Sequence, residues 1–389
     1  VISPVPPFPI GATTTAGELS GDPHAVLARM RATEPVSWVG ALEGWLVTGH
    51  DLALGVMRDA ETFTVDDPRF STAQVIGVSM LSLDGAVHAR HREPFARPFR
   101  PAQTRARFTA FVEAEVDRLI TAMRPAGAAE LRGDFAGPLA VAVVAEALGL
   151  PDADARTIRS WYDAFVAAIS DITAGGRGEA GAAHGRLRAA VESAIAAGQD
   201  SSLLVTAAGQ EEGLTTAEVV ANAAVLMFGG IDTTEGMIVN AVLHLLSHPG
   251  ELALVRADPV LLDAAIEESL RLEPSAAVVD RYATRDVGLG TATIRKGDLV
   301  RVSITGANRD PAVFPDPDRF DVRRPNTSRH LAFAHGPHFC FGAHLARLET
   351  RTALRGLLDR LPGLRLEGLA EPLGLVFRKP AELQVRWTG

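Results

Sequence analysis

Apolar residues recur at helical spacing through most of the chain. Residues 25–31, 105–124, 138–148, 153–169, 185–196 and 347–361 each carry the stripe expected of a helix that buries one face. Strand-like alternation is confined to short segments at 36–39, 44–48, 299–303 and 383–387. Most of these lie toward the two ends of the chain. The pattern predicts a mainly α fold with a small β part, closed by pairing of segments distant in sequence.

The longest helical pattern runs over about residues 216–247. Thr215 opens a capping box with Glu218, and Pro249-Gly250 ends the pattern. Some 32 residues at about 1.5 Å each reach about 48 Å, so this helix should cross the domain. Its middle is unusual. Gly229-Gly230 costs about 2 kcal/mol against a pair of alanines. Asp232, Thr233 and Thr234 follow, and threonine can bond back to the preceding turn. Such a segment is either a tolerated kink or a place where a flat ligand meets the backbone beside an acid and an alcohol. A Gly/Ala-rich stretch, 174–185, reads as a flexible connection or a mobile lid.

Composition narrows the choices. The 389 residues contain 38 basic and 47 acidic groups, a net charge of −9 that does not favour nucleic acid. One cysteine, Cys340, excludes an internal disulfide and any multi-cysteine metal site. The only lysines are Lys296 and Lys379. Residues 1–10 lack a basic leader segment, and the apolar runs are cut by Glu146 and Asp232. A soluble cytoplasmic protein without a membrane anchor is expected.

The surroundings of Cys340 carry the chemistry. The stretch Phe333-Ala334-His335-Gly336-Pro337-His338-Phe339-Cys340-Phe341-Gly342 is loop-like and gives way to a helical pattern. A cysteine before a helix N-terminus meets unpaired amides that favour its thiolate. Phe333 and Phe339 can screen it, as an axial iron ligand requires. A cysteine nucleophile with His338 or His344 as base is the competing reading.

Phe333, Gly336, His338, Cys340 and Gly342 resemble the haem-binding loop of the cytochrome P450 family. Three further segments resemble family motifs in the family's order: Gly229–Thr234, Glu268 to Arg271, and Asn308 to Phe320. His88 to Arg92 fits a fourth. Ala334 departs from the usual glycine, Gly229 from the usual alanine, and Gly85-Ala86 from the usual proline pair.

The resemblance implies a single P450 domain over 1–389, with haem b between the long central helix and the helix after Cys340. It implies Cys340 as iron ligand and Gly229 and Gly230 as the backbone closest to the haem. His88, Arg92, Arg281 and His338 are the implied propionate partners. Asp232 and Thr233 match the family's proton-delivery pair, with O2 as co-substrate. Glu268, Arg271 and Arg319 are implied to form a structural ion network. Ile76, Leu81, Phe165, Ile169, Leu226, Thr234, Val278, Val279, Leu375 and Val376 are the implied pocket positions, mostly apolar, so a largely hydrophobic small molecule is the expected substrate.

One charge feature stands apart from the motifs. Between His88 and Arg107 six arginines face a single acid, Glu93. This basic patch is either a solvated helix face or a docking site for an acidic electron donor, a ferredoxin served by its reductase. The expected activity is hydroxylation or epoxidation in bacterial secondary metabolism. The alternatives are a peroxygenase, a desaturase, an oxidative coupling enzyme, or a haem-binding sensor or carrier without turnover.

Overall fold

The helices form where the apolar stripes lie, with ends displaced by a few residues: Pro101–Met123, Gly137–Leu148, Ala155–Thr173, Gly181–Ala197 and Ala343–Arg360. The computed structural model describes residues 8–150, 154–173, 177–178, 180–198, 203–209 and 213–388. Part of the 174–185 connection therefore lies outside the described residues, and from Gly181 the chain is already helical.

The expected strands pair across the length of the chain. Val36–Val39 and Gly44–Val47 form an antiparallel pair. Gly44–Val47 then runs parallel to Leu299–Ser303, with Trp45 opposite Val300 and Val47 opposite Val302. Val278–Ala283 and Phe63–Thr64 complete a five-stranded sheet. A smaller sheet sets Gln384–Arg386 between Ala128–Glu130 and Arg365–Leu366.

The central helix is two segments rather than one, Thr216–Gly230 and Asp232–Ser247, parted at Ile231. Its start is the expected capping box: Glu218 N donates to Thr215 Oγ1, and Thr215 N to Glu218 Oε2. The interruption has a local cause. The Thr233 hydroxyl donates to the Gly229 carbonyl, competing for the acceptor the helix ladder would use.

Two main apolar cores result, beside a third, small cluster around Leu19, Val26 and Leu27. The larger unites the helices around residues such as Phe95, Phe108, Phe135 and Ile231. The smaller lies on the sheet around Trp45, Val47, Val300 and Val302. Phe333 packs against the first and its neighbour Ala334 against the second, so the cysteine loop sits on the seam between them.

Candidate active site around Cys340

The cysteine loop is held by its own backbone. Cys340 N donates to the Phe333 carbonyl at 2.9 Å, closing the loop on itself. Gly336 has φ +70°, and a Cβ there would collide with the Met57 carbonyl oxygen, so only glycine fits. Ala334 has φ +57°, a left-handed conformation where an alanine is strained. The helix Ala343–Arg360 begins just after the loop, with Gly342 at its N-cap.

Burial pushes the Cys340 thiol above its ordinary pKa, while the Gly342 and Ala343 amides and the Arg92 and Arg347 guanidiniums pull the other way. Arg347 is fixed by Glu267, which it meets at 2.6 and 2.8 Å, and lies 4.4 Å over the Phe333 ring. Arg92 donates to the Phe339 carbonyl beside the cysteine.

A cationic group gathers next to the loop. The rings of His88 and His338 are 4.4 Å apart. His338 Nε2 donates to Asp84 Oδ1 at 2.8 Å. Burial opposes the Asp84 charge, but hydrogen bonds from His338, Thr64 and the Val65 amide outweigh it and hold the carboxyl at about 2. His88 Nε2 is buried with no hydrogen-bond partner among the described residues. Burial, with the charges of His338 and Arg92, lowers His88 to about 4. Arg281 is buried, yet its only hydrogen bond goes to the Asp280 carbonyl and no carboxylate pairs with it among the described residues. A cleft of about 800 Å³ opens between Asp84, His88, Arg92 and Pro337.

On the central helix the two glycines differ. Gly229 is exposed in the middle of an otherwise buried segment, and a Cβ there would meet nothing within 4 Å. Gly230 differs: its Cβ would lie 2.5 Å from Val144 Cγ2, so this glycine admits the neighbouring helix. Asp232 pairs with Lys379 at 2.5 Å.

The ion network is corrected in one member. Glu268 and Arg271 form a fully buried two-pronged pair at 2.8 and 2.9 Å. The third member is Arg324, whose Nε donates to Glu268 Oε1 at 3.0 Å. Arg319 contributes only its carbonyl oxygen, and its side chain is exposed. The loop between Asn308 and Arg324 folds back so that the later arginine reaches inward, a path no local pattern encodes.

The expected pocket residues are dispersed. Ile76, Phe165, Leu226 and Thr234 are buried, with the Phe165 ring tilted against that of Phe228. Leu81 and Ile169 are half-buried against the helical core, and Val278 and Val279 lie on the sheet strand beside Arg281. Leu375 packs instead with the N-terminal cluster of Leu19, Val26 and Leu27, and Val376 is exposed. The patterns also missed Asp84, Arg324 and Lys379, which are ordinary surface types until the fold buries them.

The comparisons with known proteins bear on the same residues. The family model described as Cytochrome P450 matches residues 192–362. The cytochrome P450 monooxygenase PikC of Streptomyces venezuelae is 39% identical over 95% of this chain and 92% of its own length. The chain belongs to the cytochrome P450 family. The mycinamicin IV hydroxylase/epoxidase of Micromonospora griseorubida is 36% identical over 92% of this chain and 94% of that protein. The structure of P450BioI with hexadec-9Z-enoic acid ligated acyl carrier protein superposes with a TM-score of 0.87 at 30% identity, covering 95% of this chain and 99% of that one. This P450 is a haem-thiolate monooxygenase that uses haem b and O2 to hydroxylate or epoxidise.

Its side chains fit such a group. A buried imidazole nitrogen without a partner and a buried guanidinium without a carboxylate both await an anion, as two propionates would supply. No single helix among the described residues is long and apolar enough to cross a membrane.

Proposed function

We propose that this P450, a single domain over 1–389, oxidises a largely apolar small molecule of bacterial secondary metabolism in the cytoplasm, with Cys340 as the thiolate ligand. His88, Arg92, Arg281 and His338 hold the propionates in this reading, Phe333, Gly336 and Gly342 shape the loop, and Gly229 gives the close backbone. Bound haem supplies the activation of dioxygen, assisted by electron donation from the thiolate. The single observation that carries the reading is Cys340 on a self-bonded loop beside two buried donors, His88 Nε2 and the Arg281 guanidinium, that lack anions among the described residues.

The chain's own groups do the rest. Thr233 offers a hydroxyl and Asp232 a carboxylate on the turn where the central helix parts, suited to hold and pass protons. Such a pair supports electron-driven turnover over a peroxide-only enzyme. Ile76, Leu81, Phe165, Ile169, Leu226, Val278 and Val279 present apolar surface, and Thr234 a lone hydroxyl. The relatives named for mycinamicin IV and for a fatty acid carried on a protein support an apolar substrate.

The electron donor in this reading is a ferredoxin supplied by its reductase. Arg97, Arg100 and Arg105 are exposed, and Phe339 on the cysteine loop is 43% exposed, a mixed basic and apolar face suited to an acidic partner. The test is the reduced carbon monoxide spectrum. Wild type should give a strongly red-shifted Soret band and Cys340→Ser should not; the same band in both proteins would overturn the assignment.

A further inference from the structure

We propose that Lys379 is a positioning residue that holds Asp232 in place. The inference rests on the reading of Asp232 given above. Lys379 lies on the short strand Lys379–Pro380, far along the chain from the central helix. Its ammonium sits between two carboxylates, 2.5 Å from Asp232 Oδ1 and 2.7 Å from Glu235 Oε1. Gly236 lies beside it: a Cβ there would come within 2.9 Å of Ser275 Oγ but only into ordinary contact, 3.5 Å, with Lys379 Cβ.

The two carboxylates depend on Lys379 unequally. Glu235, only 2% exposed, also receives Arg132 Nε at 2.6 Å and Arg159 at 3.3 Å. Arg132 comes from a π-helical turn, Arg132–Ala136, and Arg159 from the helix Ala155–Thr173, where it also pairs with Asp163. Glu235 would therefore keep two cations without the lysine. Asp232 would keep none among the described residues. The remaining group that faces the cluster is Tyr162, whose phenol is raised by burial and by the Asp232 charge. Glu235 acts as the anchor for the ammonium, and the ammonium fixes the position of the Asp232 carboxylate. A lysine suits this task because its compact ammonium can serve two acceptors at once.

The chain allows an unusually direct test, because its other lysine, Lys296, is exposed and distant in sequence. Holoenzyme labelled with [13Cε]lysine, held in its diamagnetic reduced carbon monoxide form, should give two lysine signals, assigned with Lys379→Met. In Asp232→Asn the Lys379 signal should move and the Lys296 signal should not. NADPH oxidation through a surrogate ferredoxin and reductase, with no substrate added, should slow roughly tenfold in Lys379→Met and recover in Lys379→Arg. Lys379→Met should add nothing in the Asp232→Asn background, since coupled residues are not additive. An unmoved Lys379 signal, or losses that multiply, would overturn the inference while leaving Asp232 its role. Unchanged NADPH oxidation in Asp232→Asn would instead remove the role of Asp232, and the inference with it.

Discussion

Arg324 meets both carboxylate oxygens of Glu268, at 3.0 and 3.2 Å, and so completes a buried ion triad with Arg271. The remaining donors of both arginines end on carbonyls of the loop before it: Arg271 on Asn308, Pro317 and Arg319, Arg324 on Pro315, Asp316 and Arg319. The triad thus ties a structureless stretch to a helix. Its full hydrogen bonding is what makes three charges tolerable in the interior.

Truncating one partner of such a group strands the others. Arg324→Ala should cost about 3–5 kcal/mol in denaturant unfolding. Arg319→Ala, which removes an exposed side chain and keeps the carbonyl, should stay within about 0.5 kcal/mol. The reverse order would show that the loop is drawn in by Arg319.

Ala334 and Gly336 make opposite predictions on one loop. Ala334→Gly relieves a left-handed alanine and should raise stability by about 1 kcal/mol, seen as a higher midpoint of thermal haem loss. Gly336→Ala should prevent the loop from closing on Met57 and abolish haem retention.

The two glycines of the central helix should also separate. Gly230→Ala drives a methyl into Val144 and should destabilise the fold by about 1–3 kcal/mol, measured by chemical denaturation. Gly229→Ala has open space before it, so stability should hold or rise slightly, while the absorption spectrum of bound haem changes.

His244 should impose an acid limit. Its ring is buried, meets Ser269 Oγ at 2.9 Å, and burial lowers its pKa from 6.5 to about 3. An unfolded chain takes up this proton near 6.5, the folded chain only near 3. Stability from the neutral ring is therefore complete above pH 6.5 and is lost as pH falls toward 3, with a slope of about 1.4 kcal/mol per unit. His244→Gln should flatten that slope in denaturation curves recorded across the window.

Helices and strands were legible because each is written in a local period. The strands 36–39 and 299–303 appear with their expected bounds, and the capping box at Thr215 forms as its spacing requires. The cysteine loop was legible for another reason: Phe333, Gly336, His338, Cys340 and Gly342 stand close together at the spacing of the loop they resemble. Arg324 and Lys379 were not. Each acquires its partner only when a remote segment folds against a helix, and an arginine or lysine before a proline gives no hint of that. The middle of the central helix was legible as a kink or a ligand contact but not as a parting at Ile231, because the Thr233 hydroxyl acts over a single turn.

The parallel pairing of Trp45 with Val300 has a kinetic side. A ribosome adding about 5–20 residues per second needs roughly 10–50 s to travel from one strand to the other. Through that interval the nascent hairpin carries Trp45, Leu46 and Val47 on an unpaired edge, open to association with other chains. Yield during expression should thus depend on shortening that interval or shielding this hairpin, and supplying more prosthetic group should not substitute for either.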